Sequence, residues 1–196
     1  MTVIEKTYNW NGSLSKRTKT DYIVLHHAEA AMCTADYIHR WHLNNGWAGI
    51  GYNFFVRKNG EIYRGRPVDT VGAHCLGFNS NSIGICAEGA YDSTDTVMPA
   101  AQKAALIWLV AELRKVYKTA KAVRHKDLTA TSCPGKYYPF GEIVKGEVAK
   151  VPITDVQQAI NIIQTKAGLV EDTITFMLCY KYGEQLILKL ANAMTE

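Results

Sequence analysis

The run His125-Lys-Asp-Leu-Thr-Ala-Thr-Ser-Cys133 sets an imidazole and a thiol eight residues apart in a hydroxyl-rich loop closed by Pro134-Gly135. Nitrogen and sulfur donors of this kind suit zinc, whereas magnesium and calcium prefer shells of oxygen. Two donors are one short of a catalytic zinc site, which uses three protein ligands and keeps a fourth position open. His26 and His27 offer the third, because they end an apolar run at the point where loops carrying active sites begin. Successive strand side chains point to opposite faces, so one of the two histidines faces such a site and the other is structural. The same residues allow other readings: His125 and Cys133 as a base and nucleophile pair, or as buried groups that only pack.

Several elements must position these groups. Tyr22-Ile-Val-Leu-His26 reads as a buried strand. Thr34 is suited to cap a helix through Ala35, Tyr37, Ile38, Trp41 and His42, which Asn44-Asn45-Gly46 would stop. Two strands follow, Tyr52 to Arg57 and Glu61 to Arg64, joined at Lys58-Asn59-Gly60, where Asn-Gly is a strong hairpin signal. Ser82 to Ala87 reads as a further buried strand. From Pro99 to Tyr117, Leu106, Leu109, Val110, Leu113 and Val116 recur at helical spacing and predict a long amphipathic helix. Strands mixed with helices give an α/β class: a central mixed sheet flanked by helices.

At 196 residues the chain has room for one full domain and a small appendage. The expected division is a catalytic domain over 1–146 and a helical tail over 151–196, separated by the polar stretch around Lys145 to Pro152. In the tail, Val156, Ala159, Ile160, Ile163 and Ala167 form one stripe closed by Gly168, and Leu186, Leu190 and Met194 mark a last helix. About 45 residues lie near the limit for a core that stands alone, so these stripes are expected to pack on the main domain, a second copy (a homodimer) or a cell-surface ligand.

No apolar stretch approaches the roughly 20 residues that cross a bilayer, which argues against membrane insertion. The polar first twenty residues lack the apolar core of a secretory signal, so synthesis is expected to leave the chain in the cytoplasm. A net charge of +4 is mild, and without a basic run or zinc-finger spacing it gives no case for nucleic acid as partner. Five scattered cysteines lack the spacing of a disulfide framework and read as thiols.

Six runs occur in an order that resembles the zinc amidases of the phage-lysozyme and peptidoglycan-recognition-protein superfamily. They are Ile23 to His27, Gly46-Trp-Ala-Gly-Ile-Gly-Tyr-Asn53, Arg57-Lys-Asn-Gly-Glu-Ile-Tyr-Arg-Gly-Arg66, Gly72-Ala-His74, Asn81-Ser-Ile-Gly-Ile85 and His125 to Gly135. The resemblance spans about Asp21 to Gly135. It implies one Zn2+ per chain on His26, His125 and Cys133, a metal that lowers the pKa of its water to about 7 and polarises the scissile carbonyl. It implies Tyr52 as a hydrogen-bond donor to water or oxyanion, although from the residues alone a packed strand aromatic is the favoured reading. Glu88 resembles the general base of other branches, with an exposed strand-end glutamate as the plain alternative. Thr131, the third catalytic candidate, stands where several active relatives carry lysine and where recognition proteins that can still be active commonly carry threonine. His42, Trp47, His74 and Asn79 resemble residues that line a muropeptide groove.

The function implied is hydrolysis of the amide between N-acetylmuramic acid and L-alanine of the stem peptide. A catalytic domain with a short helical tail looks like a phage or prophage lysin that reaches the cell wall after holin-type release; an autolysin or wall-recycling amidase is the nearest alternative. A non-catalytic peptidoglycan-binding module is the rival from another class, and the presence of Cys133 argues against it.

Overall fold

The structure, a computed structural model, describes residues 1–146, 154–179 and 181–195. The chain divides into two compact units, Met1–Val148 and Ala149–Glu196. In the first unit the elements in chain order are β1 (Val3–Ile4), β2 (Tyr22–His27), α1 (Ala35–Asn44), β3 (Phe54–Val56), β4 (Ile62–Arg64), β5 (Ser82–Ala87), α2 (Ala100–Val116), β6 (Lys121–Arg124) and α3 (Phe140–Lys145). The second unit contains α4 (Val156–Ala167), α5 (Glu171–Leu178) and α6 (Gly183–Met194).

The six strands form one sheet in the order β1-β4-β3-β5-β2-β6. Only the β3–β4 hairpin pairs antiparallel; β1–β4, β3–β5, β5–β2 and β2–β6 are parallel, so the sheet is mixed. β2 and β5 lie inside it and are almost wholly buried, as expected of parallel strands covered on both faces. Ile23, Leu25, Ile83 and Ile85 point to one face and pack with Leu106, Leu109, Val110 and Leu113 of α2. The alternate positions point to the other face, where Cys86 and Phe55 pack with Ile38 of α1, Ile50 and Tyr8.

α1 begins as its sequence dictates: Thr34 is extended and its hydroxyl accepts from Tyr37 N–H. Its inward row is Ala35, Ile38, His39 and His42. The hairpin strands are shorter than the sequence suggests: Tyr52, which lines the cleft, and Asn53, whose side chain bonds Pro67 O and Gly84 N–H, both precede β3. Val116, placed in the apolar stripe from its spacing, is exposed at the last turn of α2.

The second unit corrects an expectation. α4 is capped by Asp155, whose carboxylate accepts from Gln158 N–H, and it ends at Gly168 in the left-handed region, φ 64°. The tail then adds α5, which carries no periodic apolar stripe. With that third helix Ala159, Ile163, Ile174, Ile187 and Ala191 form a core of their own, so the stripes are covered within the unit. In α6 it is Ile187 and Ala191 that are buried, while Leu186 is exposed.

Candidate functional site

Parallel pairing places the carboxyl ends of β2 and β6 side by side, with Leu25 opposite Arg124. The next residue on each strand is a histidine, and the His26 and His125 rings lie 4.5 Å apart between centroids. Strand alternation sends His26 to the α1 face. His27 turns to the other face, where its Nδ1 accepts from Tyr91 N–H at 3.0 Å.

The loop after His125 returns Cys133 to the same point. Lys126 N–H donates to Cys133 O at 2.9 Å, and Cys133 N–H to the Thr131 hydroxyl at 3.2 Å. Gly135 takes φ 97°, and a Cβ there would meet the Tyr91 backbone at 2.4 Å, so only glycine lets the loop close against Tyr91. Cys133 Sγ ends 3.7 Å from His26 Nδ1. One donor atom each from His26, His125 and Cys133 lies within 4.8 Å of the others, a group able to hold a metal ion.

Hydrogen bonding fixes the first of these donors. His26 Nε2 lies 3.0 Å from His74 Nδ1, and His74 Nε2 lies 3.4 Å from the Ser82 hydroxyl, which donates to Phe78 O at 2.6 Å. A proton on His26 Nε2 and one on His74 Nε2 satisfy this chain, and that tautomer leaves the His26 Nδ1 lone pair facing Cys133 and His125. Burial, then the neighbouring His74 and His125, hold His26 well below the ordinary imidazole pKa, and burial carries His74 down to about 3. Burial alone lowers His125. Desolvation also pushes the Cys133 thiol up to about 12. Neutral imidazoles and a thiol converging with lone pairs inward fit a thiophilic divalent cation, which supplies the charge the site lacks.

Tyr52 stands beside this group, its ring 5.1 Å from His26 and 5.7 Å from His42. Burial, then Cys86 and Cys133, keep its phenol protonated, so it is a hydrogen-bond donor. His42 Nδ1 accepts from Gly51 N–H at 2.9 Å, its ring packs 4.6 Å from Trp47, and burial lowers its pKa to about 4. His42, Trp47, Tyr52, His74, Asn79 and His125 all line one cleft of about 830 Å3, within the usual range for a ligand pocket.

Asn79, Thr131 and Glu88 are each tied into hydrogen bonds that hold the loops and strands around the cleft. Asn79 Oδ1 accepts from His74 N–H and Cys75 N–H at 2.8 and 2.9 Å, so it clamps the loop that carries His74. Thr131 holds Cys133. Glu88, expected as a general base, is 2% exposed and both its oxygens are taken: Oε1 by Cys33 N–H at 3.0 Å, Oε2 by Arg57 Nε at 2.7 Å and Lys58 N–H at 2.9 Å. It ties β5 to the β3–β4 hairpin.

The sequence reading missed Arg66. It is buried on the cleft wall, donating from Nε to Ile50 O and from Nη1 to Val71 O, both at 2.8 Å, and has no carboxylate partner among the described residues. A positive charge is therefore left at the cleft.

Convergent His, His and Cys donors under an aromatic cleft, at the carboxyl edge of a mostly parallel sheet, define an α/β enzyme site rather than a packing cluster. The chain belongs to the Amidase_2 family, N-acetylmuramoyl-L-alanine amidase, whose model matches residues 16–136. It is 35% identical over 127 residues to the endolysin of Klebsiella phage KP32, covering 61% of this chain and 83% of that one. Among solved structures, the N-acetylmuramoyl-L-alanine amidase LysC from Clostridium intestinale URNW matches with TM-score 0.70 at 38% identity, over 73% of this chain and 95% of its own. The ectodomain complex of peptidoglycan recognition proteins LCa and LCx, solved with bound tracheal cytotoxin, matches with TM-score 0.62 at 28% identity, over 70% and 92% of the two chains.

The contacts of Glu88 give a first prediction. Burial raises its pKa, but Arg57 and the N–H groups of Lys58 and Cys33 outweigh that and leave it below the ordinary value. A folded pKa below the unfolded one contributes stability that is present above the unfolded pKa, about 4.3, and lost as pH falls through the folded value. Glu88→Gln should cost about 2–3 kcal/mol at neutral pH, flatten the acid limb of the stability curve in denaturant titrations, and change turnover on a soluble muropeptide by only a few fold. Unchanged stability with turnover down a hundredfold or more would restore the general-base role.

Proposed function

We propose that this chain hydrolyses the amide between the lactyl carboxyl of N-acetylmuramic acid and L-alanine of the stem peptide, with one Zn2+ held by His26, His125 and Cys133. The observation that carries the proposal is the meeting of those three donors at the edge of the cleft. A zinc ion there supplies Lewis acidity toward the scissile carbonyl and a nucleophile at neutral pH. In the net reaction water adds across the amide, giving a lactyl carboxylate and a free L-alanine amine.

The protein's own groups do the rest. His74 holds the His26 ring in the tautomer that turns Nδ1 inward, and Ser82 holds His74. The neutral Tyr52 phenol is placed to donate to the oxygen on which charge develops. His42 and Trp47 form an aromatic wall for the muropeptide, and Arg66 offers it a cation suited to a carboxylate of the stem peptide. The peptidoglycan substrate is supported by the amidase and peptidoglycan-recognition relatives.

The similarity to phage endolysins supports a lysin made in the cytoplasm that acts on the wall after holin-type release; no helix among the described residues is long and apolar enough to cross a membrane. A separate role for the second unit, in wall attachment or self-association, is supported by its own hydrophobic core and by the family match, which ends at residue 136.

The central test measures metal content and release of L-alanine amine from purified wall. One zinc per chain and chelator-sensitive cleavage are expected, with Cys133→Ser losing both metal and activity and His27→Ala keeping the metal. Tyr52→Phe should keep zinc and lower turnover about a hundred- to thousandfold. Binding without cleavage would make the chain a recognition module, and chelator-resistant cleavage would make Cys133 a nucleophile.

Truncation after Lys150 should leave cleavage of a small soluble muropeptide intact while weakening action on whole walls or changing the oligomer size. Loss of cleavage in a truncated chain that remains folded would put the tail in the chemistry. Expression in a bacterial host should lyse cells only once the inner membrane is permeabilised; lysis without permeabilisation would refute the holin-type route.

A further inference from the structure

The outer row of α1 is unusual in composition. Tyr37, Arg40, Trp41 and Asn44 recur at i, i+3, i+4 and i+7, so they stand in one line along the helix, opposite the buried row Ala35, Ile38, His39 and His42. Solvent rows of helices are ordinarily charged, yet this one exposes two large rings, Tyr37 at 52% and Trp41 at 48%. Arg40 and Asn44 make no side-chain hydrogen bond or ion pair among the described residues, so their donors are free. With Leu43, these four side chains line a hollow of about 280 Å3.

Trp41 also lines the cleft. A ligand leaving the cleft past Trp41 therefore passes toward Tyr37, one helical turn away on the same row and lining the same hollow.

We propose that this face of α1 is a subsite for the glycan strand of peptidoglycan beyond the sugar whose amide is cut. The inference rests on the assignment of the cleft to the muropeptide. The C–H faces of a pyranose are apolar and flat enough to lie on Tyr37 and Trp41, while hydroxyl and N-acetyl groups take hydrogen bonds from Arg40 and Asn44. The dimensions favour a linear chain. A ten-residue helix is about 15 Å long, and a single exposed row along it matches a short oligosaccharide. A stable protein partner needs about 800 Å2 from each side, more than one row of four side chains along about 15 Å of helix supplies. Added contacts along a polymer raise affinity for long strands without altering the cut, since a tethered second contact acts at high effective concentration.

The test uses the full chain with Tyr37→Ala, Arg40→Ala and the conservative Tyr37→Trp, each checked for an unchanged melting curve. The binding probe is a chito-oligosaccharide, a glycan without peptide, followed by calorimetry and tryptophan fluorescence. The wild type should bind it; Tyr37→Ala and Arg40→Ala should each lower affinity about tenfold, and Tyr37→Trp should retain it. On long-strand peptidoglycan the two alanine variants should raise KM with kcat unchanged, and on a single-sugar muropeptide they should match the wild type. Equal oligosaccharide affinity in wild type and alanine variants, or none in the wild type, overturns the proposal, as does a shift in oligomer size with no change in glycan affinity, which would assign the face to a second copy. Failure of the wild type to cleave the small muropeptide would instead refute the amidase reading, and the oligosaccharide binding is read without any cleavage.

Discussion

The pairing of β2 with β6 is the constraint from which the site follows. Parallel strands in register bring two chain segments separated by about a hundred residues to one edge, and the residue beyond each last paired position is a histidine. A one-residue slip of β2 would carry His27 to the α1 face and bury His26 against Tyr91. The apolar alternation of Ile23 and Leu25 against α2 resists that slip, because it would turn both side chains out of the larger core. Core packing on one face thereby sets which histidine reaches the other.

The electrostatics follow from where that register puts the groups. Three imidazoles and a thiol are gathered together, His26 and His74 buried and His125 and Cys133 half-buried, with no carboxylate bonded to them among the described residues, so desolvation favours the neutral form of each. A buried carboxylate in the cluster would have favoured imidazolium and turned lone pairs into donors. Glu88 is close in sequence to Cys86, which pairs with His26, yet Arg57 and two backbone N–H groups draw its charge toward the hairpin. The site thus stays uncharged and electron-rich, as a cation site should be before the cation arrives.

What could be read from the sequence was what local periodicity or an ordered motif series carries. β2, β5, α1 and α2 were legible because their apolar spacing is strong, and the ligand series because its motifs kept their order. β6 was not, since Lys121-Ala-Val-Arg124 is short and flanked by charge. The roles of Glu88, Asn79 and Thr131 turn on side chain to backbone bonds; for Glu88 the partners lie 30 to 55 residues away, and no spacing rule encodes them. Arg66 looked like one more arginine in a hairpin motif until its burial and its lack of a carboxylate partner gave it meaning.

The second unit shows how one unrecognised element changes an energetic conclusion. α5 begins at Glu171 after Val170, which offers no side-chain cap, and among its residues only Ile174 is buried, so neither a start signal nor a stripe announces it. Counting two helices leaves two apolar rows uncovered, which would make a partner obligatory. With α5 in place Ile174 closes the core between α4 and α6, and Gly183 permits the close approach: a Cβ there would lie 2.1 Å from Met177 O. The rows therefore need no partner for burial. Whatever the unit engages must do so through its outer surface, where Tyr182 and Leu186 are exposed and where Lys181 and Lys189 flank them in a hollow. Such a surface is free to recognise a ligand because it carries no burden of holding the fold together.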